Sequence, residues 1–195
     1  MFIKIWGCRG SVAVPGPFTI RFGGNTTCIE VRSDSGELLI LDAGTGICNL
    51  TQNLLGEVPF EASLLLSHTH YDHIIGFPFF TPIFIPGNRI DVYGPTHLGL
   101  PIKEAMIDFF CDTFFPANLE DFQSKVTFTS IGVKTWKIGS FNISTFSTNH
   151  PITTLAYRIE CDGKVFVYSG DTEPFLNFLE NVPEDEKNNI LSSLP

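Results

Sequence analysis

A chain of 195 residues, 43% hydrophobic and carrying 19 phenylalanines, is long and apolar enough for one domain with a sizeable core. Its net charge of −9 argues against a broad basic face that grips long nucleic acid, but leaves room for a small phosphodiester whose charge bound metal ions would offset. Cys8, Cys28, Cys48, Cys111 and Cys161 are odd in number, scattered and without a Cys-x-x-Cys pair, which excludes a Cys₄ zinc site and fits reduced thiols in a cytoplasmic protein.

In chain order, 2–6 reads as a first strand and Gly7-Cys8-Arg9-Gly10-Ser11 as a turn. Pro15, Gly16 and Pro17 make 12–21 a loop. Phe22-Gly23-Gly24-Asn25-Thr26-Thr27 opens the strand 28–32. The paired glycines bring backbone close to a neighbour, either the floor of a site or an ordinary turn. Ser33-Asp34-Ser35-Gly36 is a hairpin turn into a buried strand at 37–41. Asp42 follows at its end, where a helix N-cap is one use for it, and the chain turns into a helix near 47–55. The run 62–67 is another buried strand, and 73–79 begins a helix. The apolar stretch 74–86 is interrupted by Pro78, Pro82 and Pro86 and is shorter than the roughly 20 residues of a membrane span, so no membrane association is expected. A strand at 89–93 precedes a helix at 98–110, where Leu98, Ile102, Ala105, Met106 and Phe109 recur at helical spacing. The aromatic segment 110–116 reads first as core, with a stacking wall beside a site as the alternative. Strands at 126–129, 135–138 and 141–147 are expected to form a second sheet. Pro151 disfavours helix at His150 and keeps it in a loop. A hairpin at 154–160 and 164–168 turns about Cys161-Asp162-Gly163 and delivers Ser169-Gly170-Asp171. A helix is expected from 172 to 179, and 181–195 is polar and aperiodic.

The chemistry concentrates in Ser67-His68-Thr69-His70-Tyr71-Asp72-His73, which places three imidazoles and a carboxylate within six residues at the end of an apolar strand. Side chains two apart in extended backbone share a face, so His68 and His70 can grip one ion. Asp72 and His73 come where the chain bends, and can face a second ion nearby. Nitrogen and carboxylate donors suit Zn²⁺ first, with Mn or Fe as alternatives. The competing reading is a polar loop in which these groups only hydrogen-bond, but buried polar groups need partners, and these mutually suit a cation. His97 has no companion at ligand spacing and is expected outside the site.

This stretch resembles the metal loop of the metallo-β-lactamase fold superfamily. The likeness extends to Asp42-Ala43-Gly44-Thr45-Gly46, Asn149-His150-Pro151 and Ser169-Gly170-Asp171-Thr172, which follow strands in the superfamily's order. Gly7-Cys8-Arg9-Gly10-Ser11 and Gly23-Gly24-Asn25-Thr26 are similar to its phosphodiesterase and ribonuclease Z-like branch. The resemblance implies an α/β fold, the αββα sandwich, in which two mixed sheets lie face to face with helices outside. It implies two divalent metal ions: His68, His70 and His150 on the first, Asp72 and His73 on the second, and Asp171 bridging. Asp72 is also the candidate catalytic residue, orienting a hydroxide between ions roughly 3.5–4 Å apart or carrying its proton. Asp42 would brace the metal loop without touching metal. The superfamily's last histidine is absent, because no histidine follows His150. The expectation is one domain over 1–195 that lacks its C-terminal part.

Asp171, where many lactam-hydrolysing members carry cysteine, favours phosphodiester chemistry. The expected activity is hydrolysis of a small cyclic-nucleotide-type phosphodiester. A ribonuclease Z-like tRNA 3′-end endonuclease and a catalytically incomplete metal-binding module are the alternatives, and a thioesterase of the glyoxalase II type carries less weight. A homodimer is compatible with the fold, though no stretch marks an interface.

Overall fold

The computed structural model describes residues 1–110, 115–174 and Lys187. It has two sheets. In the first, strands β1 (Phe2–Gly7), β2 (Cys28–Arg32), β3 (Leu38–Leu41), β4 (Glu61–Leu65), β5 (Arg89–Pro95) and β6 (Lys125–Ile131) lie side by side in that order. The first three are antiparallel, and β3 to β6 are parallel. The second sheet is antiparallel throughout, in the order β10 (Lys164–Tyr168), β9 (Leu155–Cys161), β8 (Phe141–Ser147), β7 (Thr135–Ile138). The helices are α1 (Gly46–Leu54), α2 (Tyr71–Ile74) and α3 (Ile102–Phe109).

Period-two alternation sorts the first sheet's side chains into two cores. Leu38, Ile40, Leu64, Ile90 and Val92 face Ile47, Leu50 and Leu54 of α1 and Ile102 and Met106 of α3. Ile29, Val31, Leu39, Leu41 and Leu65 face Phe141, Ile143, Tyr157 and Ile159 of the second sheet. Nearly all of these side chains are fully buried. The expected face-to-face sheets are therefore present, with helices packed on the first; the second sheet is not mixed as expected, because its strands follow one another through short connections and pair antiparallel throughout. On the outer face of the second sheet, Phe146, Val165 and Val167 are more than half exposed, and no helix covers them among the described residues.

Several boundaries differ from the sequence reading. The strand expected at 126–129 in the second sheet runs from Lys125 to Ile131 in the first, parallel to β5. A helix between two strands is a crossover that returns the chain parallel to the same sheet, and β5–α3–β6 is such a unit. The helix expected from 98 begins only at Ile102. Leu98 and Gly99 adopt left-handed backbone (φ 48° and 82°), and Pro101 sits at the N-cap. The helix expected over 73–79 is one turn, followed by 3₁₀ turns at Phe77–Phe79 and Thr81–Phe84, because Pro78 and Pro82 cannot donate the amide bonds that a continuous helix needs. Residues 172–174 are not helical. The rest of the helix expected at 172–179, and 181–195 apart from Lys187, lie outside the described residues. Within the aromatic segment, 111–114 also lie outside them. Phe110 stacks edge-on with Phe77, Phe115 and Phe122, which agrees with a core role. The β9–β10 hairpin turns through Asp162 and Gly163, both at positive φ as a type I′ turn requires. No helix among the described residues is long and apolar enough to cross a membrane.

The second sheet is tied to the chain just after β4 by two bonds. Tyr157 Oη donates to the Leu66 carbonyl (2.7 Å), and the Leu155 amide donates to the Ser67 carbonyl (2.9 Å). Tyr157 is fully buried, so Tyr157→Phe leaves the Leu66 carbonyl short of a partner. Urea denaturation should register a loss of about 1–3 kcal/mol.

Candidate metal centre

Four strands end at one edge of the sandwich: β3 and β4 in the first sheet, β8 and β10 in the second. The loops that follow carry every residue expected to bind or brace metal. Asp42 follows β3, His68 to His73 follow β4, His150 follows β8 and Asp171 follows β10.

The anchor is Asp42, which is fully buried. Its Oδ1 accepts the Ser67 amide (2.6 Å). Its Oδ2 accepts Ser67 Oγ (2.8 Å), His73 Nδ1 (2.6 Å) and the Tyr168 hydroxyl. Asp42 also sits at φ 57°, a left-handed conformation that aspartate tolerates better than most residues. Burial opposes its charge, but His73, Tyr168 and Ser67 outweigh that and hold its carboxyl below the usual carboxylate range. Asp42 thus ties Ser67 and His73 of the loop together and does not cap α1, whose N-cap residue is Thr45.

The bond to Asp42 turns the other nitrogen of His73 inward. Among the described residues, His73 Nε2 is buried without a hydrogen-bond partner, 3.3 Å from Asp171 Oδ1 and 3.6 Å from Asp72 Oδ2. Beside it, His70 Nδ1 lies 3.1 Å from His68 Nε2 and 3.0 Å from His150 Nε2. Two groups could each hold a cation: His68, His70 and His150; and His68, His73 and Asp171. Asp72 flanks the second group, with its Oδ2 accepting the Ser11 amide (2.7 Å). Gly170 lets Asp171 approach. Its φ is 61°, and a Cβ there would come within 2.9 Å of Ser67 Cβ.

These donors fit a divalent cation. His70 Nδ1, about 3 Å from both His68 Nε2 and His150 Nε2, cannot satisfy both by sharing protons, since it carries at most one. Ligands of a tetrahedral ion at about 2.0–2.1 Å are spaced by roughly the same distance. A histidine held by a carboxylate through one nitrogen and pointing the other at the centre is the usual support of a metal ligand. His97 belongs to neither group. Its Nδ1 accepts the Thr153 amide (3.1 Å). The Gly23-Gly24 pair does not floor the site, because Gly24 packs against the backbone of Val14 and Pro15 in its own loop. Sequence reasoning missed Tyr168 and the Ser11 amide. Both act through partners distant in the chain, and no local spacing marks them.

Burial, reinforced by the charge of His73, lowers the pKa of His68 from 6.5 to about 3. Burial likewise lowers that of His70, with His150 adding to it. Burial opposes the charge on His73 too, but Asp42 overrides it and raises the value from 6.5 to about 9. Burial and the neighbouring Asp42 charge raise the Tyr168 hydroxyl far above its ordinary value.

In metal-free protein, His68 resists a proton that the unfolded chain accepts near pH 6.5, so stability falls as pH drops from 6.5 toward 3. His73 keeps a proton that the unfolded chain releases near 6.5. Its contribution is complete below 6.5 and is lost as pH rises toward 9. The melting temperature of chelator-treated protein should therefore peak near pH 6.5. A steady rise from 6.5 to 9 would contradict the His73–Asp42 pairing. Asp42→Asn should weaken metal binding about 10–100-fold in competition with a chromophoric chelator, because it frees the His73 ring.

The family described as "Beta-lactamase superfamily domain" matches residues 38–184. A ribonuclease Z of Prochlorococcus marinus (strain MIT 9515) is 25% identical over 134 residues, covering 65% of this chain and 41% of the relative, so the chain spans less than half of that protein's length. Among solved structures, the metallo-beta-lactamase fold protein YhfI from Bacillus subtilis superposes with a TM-score of 0.61 at 19% identity, covering 87% of this chain and 61% of that one. Zn(2+)-bound PqqB from Methylobacterium extorquens gives 0.60 at 19% identity over 86% and 62%. The short form of human tRNase Z gives 0.60 at 16% identity over 87% and 68%. These likenesses establish the fold, and the family match over most of the chain, together with the loop order seen here, places it: the protein belongs to the beta-lactamase superfamily domain family.

Proposed function

We propose that this chain is a metal-dependent hydrolase of phosphodiesters, acting on a small nucleotide-type ester, cyclic forms included. The observation that carries this reading is the second donor group. A carboxylate, Asp171, stands 3.3 Å from the inward nitrogen of His73, giving a hard oxygen-and-nitrogen site suited to divalent ions paired over a phosphoryl group. His68, His70 and His150 would hold one ion, and His73, Asp72 and Asp171 the other, with Asp171 shared. Zinc is the first choice, and Mn or Fe the alternatives. Ions held there would supply Lewis-acid charge to the substrate and an acidified water at neutral pH.

The protein's own groups divide the remaining work. Asp42 and Ser67 orient the loop, and Asp42 fixes which nitrogen of His73 carries the proton. Asp72 keeps one carboxylate oxygen on the Ser11 amide, leaving Oδ1 as the atom to take a proton from an attacking water. Tyr168 stays protonated and donates to Asp42, keeping that charge inside the protein. A cytoplasmic setting fits the free thiols Cys8, Cys28, Cys48 and Cys161.

A second reading, a ribonuclease Z-like endonuclease acting on tRNA 3′ ends, is favoured by the name of the matching curated relatives. Against it stands the net charge of −9, which disfavours a long polyanion.

The test begins with metal content by elemental analysis of protein purified without chelator, followed by turnover of bis(p-nitrophenyl) phosphate. Asp171→Ala should lower kcat/KM by at least about 10³-fold, a loss of some 4 kcal/mol, while His97→Ala should keep both metal and rate. Full activity in Asp171→Ala would overturn the proposal. Comparing 2′,3′-cyclic AMP with a 3′-extended tRNA then separates the two substrate classes.

A further inference from the structure

Five arginines occur in the chain. The three on strands each pair with a carboxylate: Arg32 with Glu30 and Glu57, Arg89 with Asp91, and Arg158 with Glu160. The two on the loop between β1 and β2, Arg9 and Arg21, have no acidic partner among the described residues. Arg9 Nε donates to the Val12 carbonyl (2.8 Å), and the Arg21 guanidinium lies over the Phe22 ring, 4.8 Å from its centre. In a chain of net charge −9, these are cations left uncommitted where carboxylates are plentiful.

The same loop exposes apolar surface that a folded chain usually hides. Phe18 is 100% exposed and Phe22 72%. The four side chains Arg9, Phe18, Arg21 and Phe22, with Cys8 and Thr19, line a depression of about 320 Å³. That volume lies within the roughly 300–1,000 Å³ of small-ligand sites. The loop is held in place rather than splayed. Cys8 Sγ donates to the Phe22 carbonyl (3.6 Å), the Val14 amide to the Gly24 carbonyl (2.9 Å) and the Arg9 amide to the Asn25 carbonyl (3.0 Å). It also abuts the metal centre. The Ser11 amide donates to Asp72 Oδ2, and two residues of chain span at most about 7 Å, so Arg9 is rooted within that distance of Ser11.

We propose that this depression is a nucleotide subsite: Arg9 and Arg21 bind a phosphate, and Phe18 and the free face of Phe22 stack on the base of the unit flanking the scissile bond. Guanidinium groups match phosphate oxygens in fork geometry, and a ring is a sequence-tolerant platform for any base. The chemistry this selects is a phosphodiester that carries a nucleotide, rather than a simple alkyl or aryl ester. The inference rests on the phosphodiester reading above for the position of the reacting bond.

Two measurements on the metal-loaded full chain test it. The first is the affinity for adenosine 5′-monophosphate by isothermal titration calorimetry. The second is the ratio of kcat/KM for thymidine 5′-(p-nitrophenyl phosphate) to that for bis(p-nitrophenyl) phosphate, two substrates with one leaving group. The double variant Arg9→Gln/Arg21→Gln, at one half-buried and one exposed loop position, should weaken AMP at least tenfold and lower the substrate ratio at least tenfold. Phe22→Ala should lower both in the same direction. Arg158→Gln removes one positive charge from the second sheet and should leave AMP affinity within twofold. Failure of AMP to bind the unaltered chain, or equal binding by the double variant, overturns the subsite. If neither ester is hydrolysed but the double variant still loses AMP, the loop assignment stands and the hydrolase reading falls.

Discussion

The candidate metal loop depends on one buried charge. Asp42 sits at the end of β3 with no exposure to solvent and collects donors from Ser67, His73 and Tyr168. A carboxylate taken out of water must be compensated by close, well-aimed donors, and in a low-dielectric interior each such bond is stronger than it would be at the surface. The same contacts that stabilise the charge join three segments far apart in sequence. They also set the His73 ring so that its second nitrogen points where Asp171 and Asp72 converge. The left-handed backbone at Asp42 is tolerated because this ring of contacts determines it from every side.

The centre lies on the seam between the sheets. The first sheet contributes Asp42, His68, His70, Asp72 and His73, and the second contributes His150 and Asp171. The distances among these groups therefore depend on how Leu39, Leu41 and Leu65 pack against Phe141, Ile143 and Tyr157. Close packing transmits displacement, so a core change well away from the ligands can move one half of the site against the other. The Tyr157 and Leu155 bonds to the chain just after β4 limit that motion at its most sensitive point.

Electrostatically the chain is acidic, and its strand arginines are neutralised by local carboxylates. Positive potential for a phosphate-bearing ligand would then come from two sources side by side: cations held by the histidine and aspartate donors, and the two uncommitted guanidinium groups of the β1–β2 loop.

Much of this was legible in the amino-acid sequence, because its signals are local. Runs such as 38–41 and 62–65 announce buried strands by composition. His68, His70, Asp72 and His73 mark a candidate cation site by donor type and spacing, and Pro151 and Gly170 mark the loops that present His150 and Asp171. Other features are relations between distant segments, and only the tertiary structure decided them. Lys125–Ile131 joined the first sheet because the α3 crossover returns the chain parallel to β5, which no property of the strand itself states. The helix expected from 98 shortened because Leu98 and Gly99 turned left-handed against their neighbours. Tyr168 became a partner of Asp42, and the Ser11 amide a partner of Asp72, only when the sheets met. Sequence determines which side chains can do the chemistry, since donor atoms and local periodicity are written residue by residue. Which of them meet is decided by how two apolar faces close on each other, a property of the packed whole.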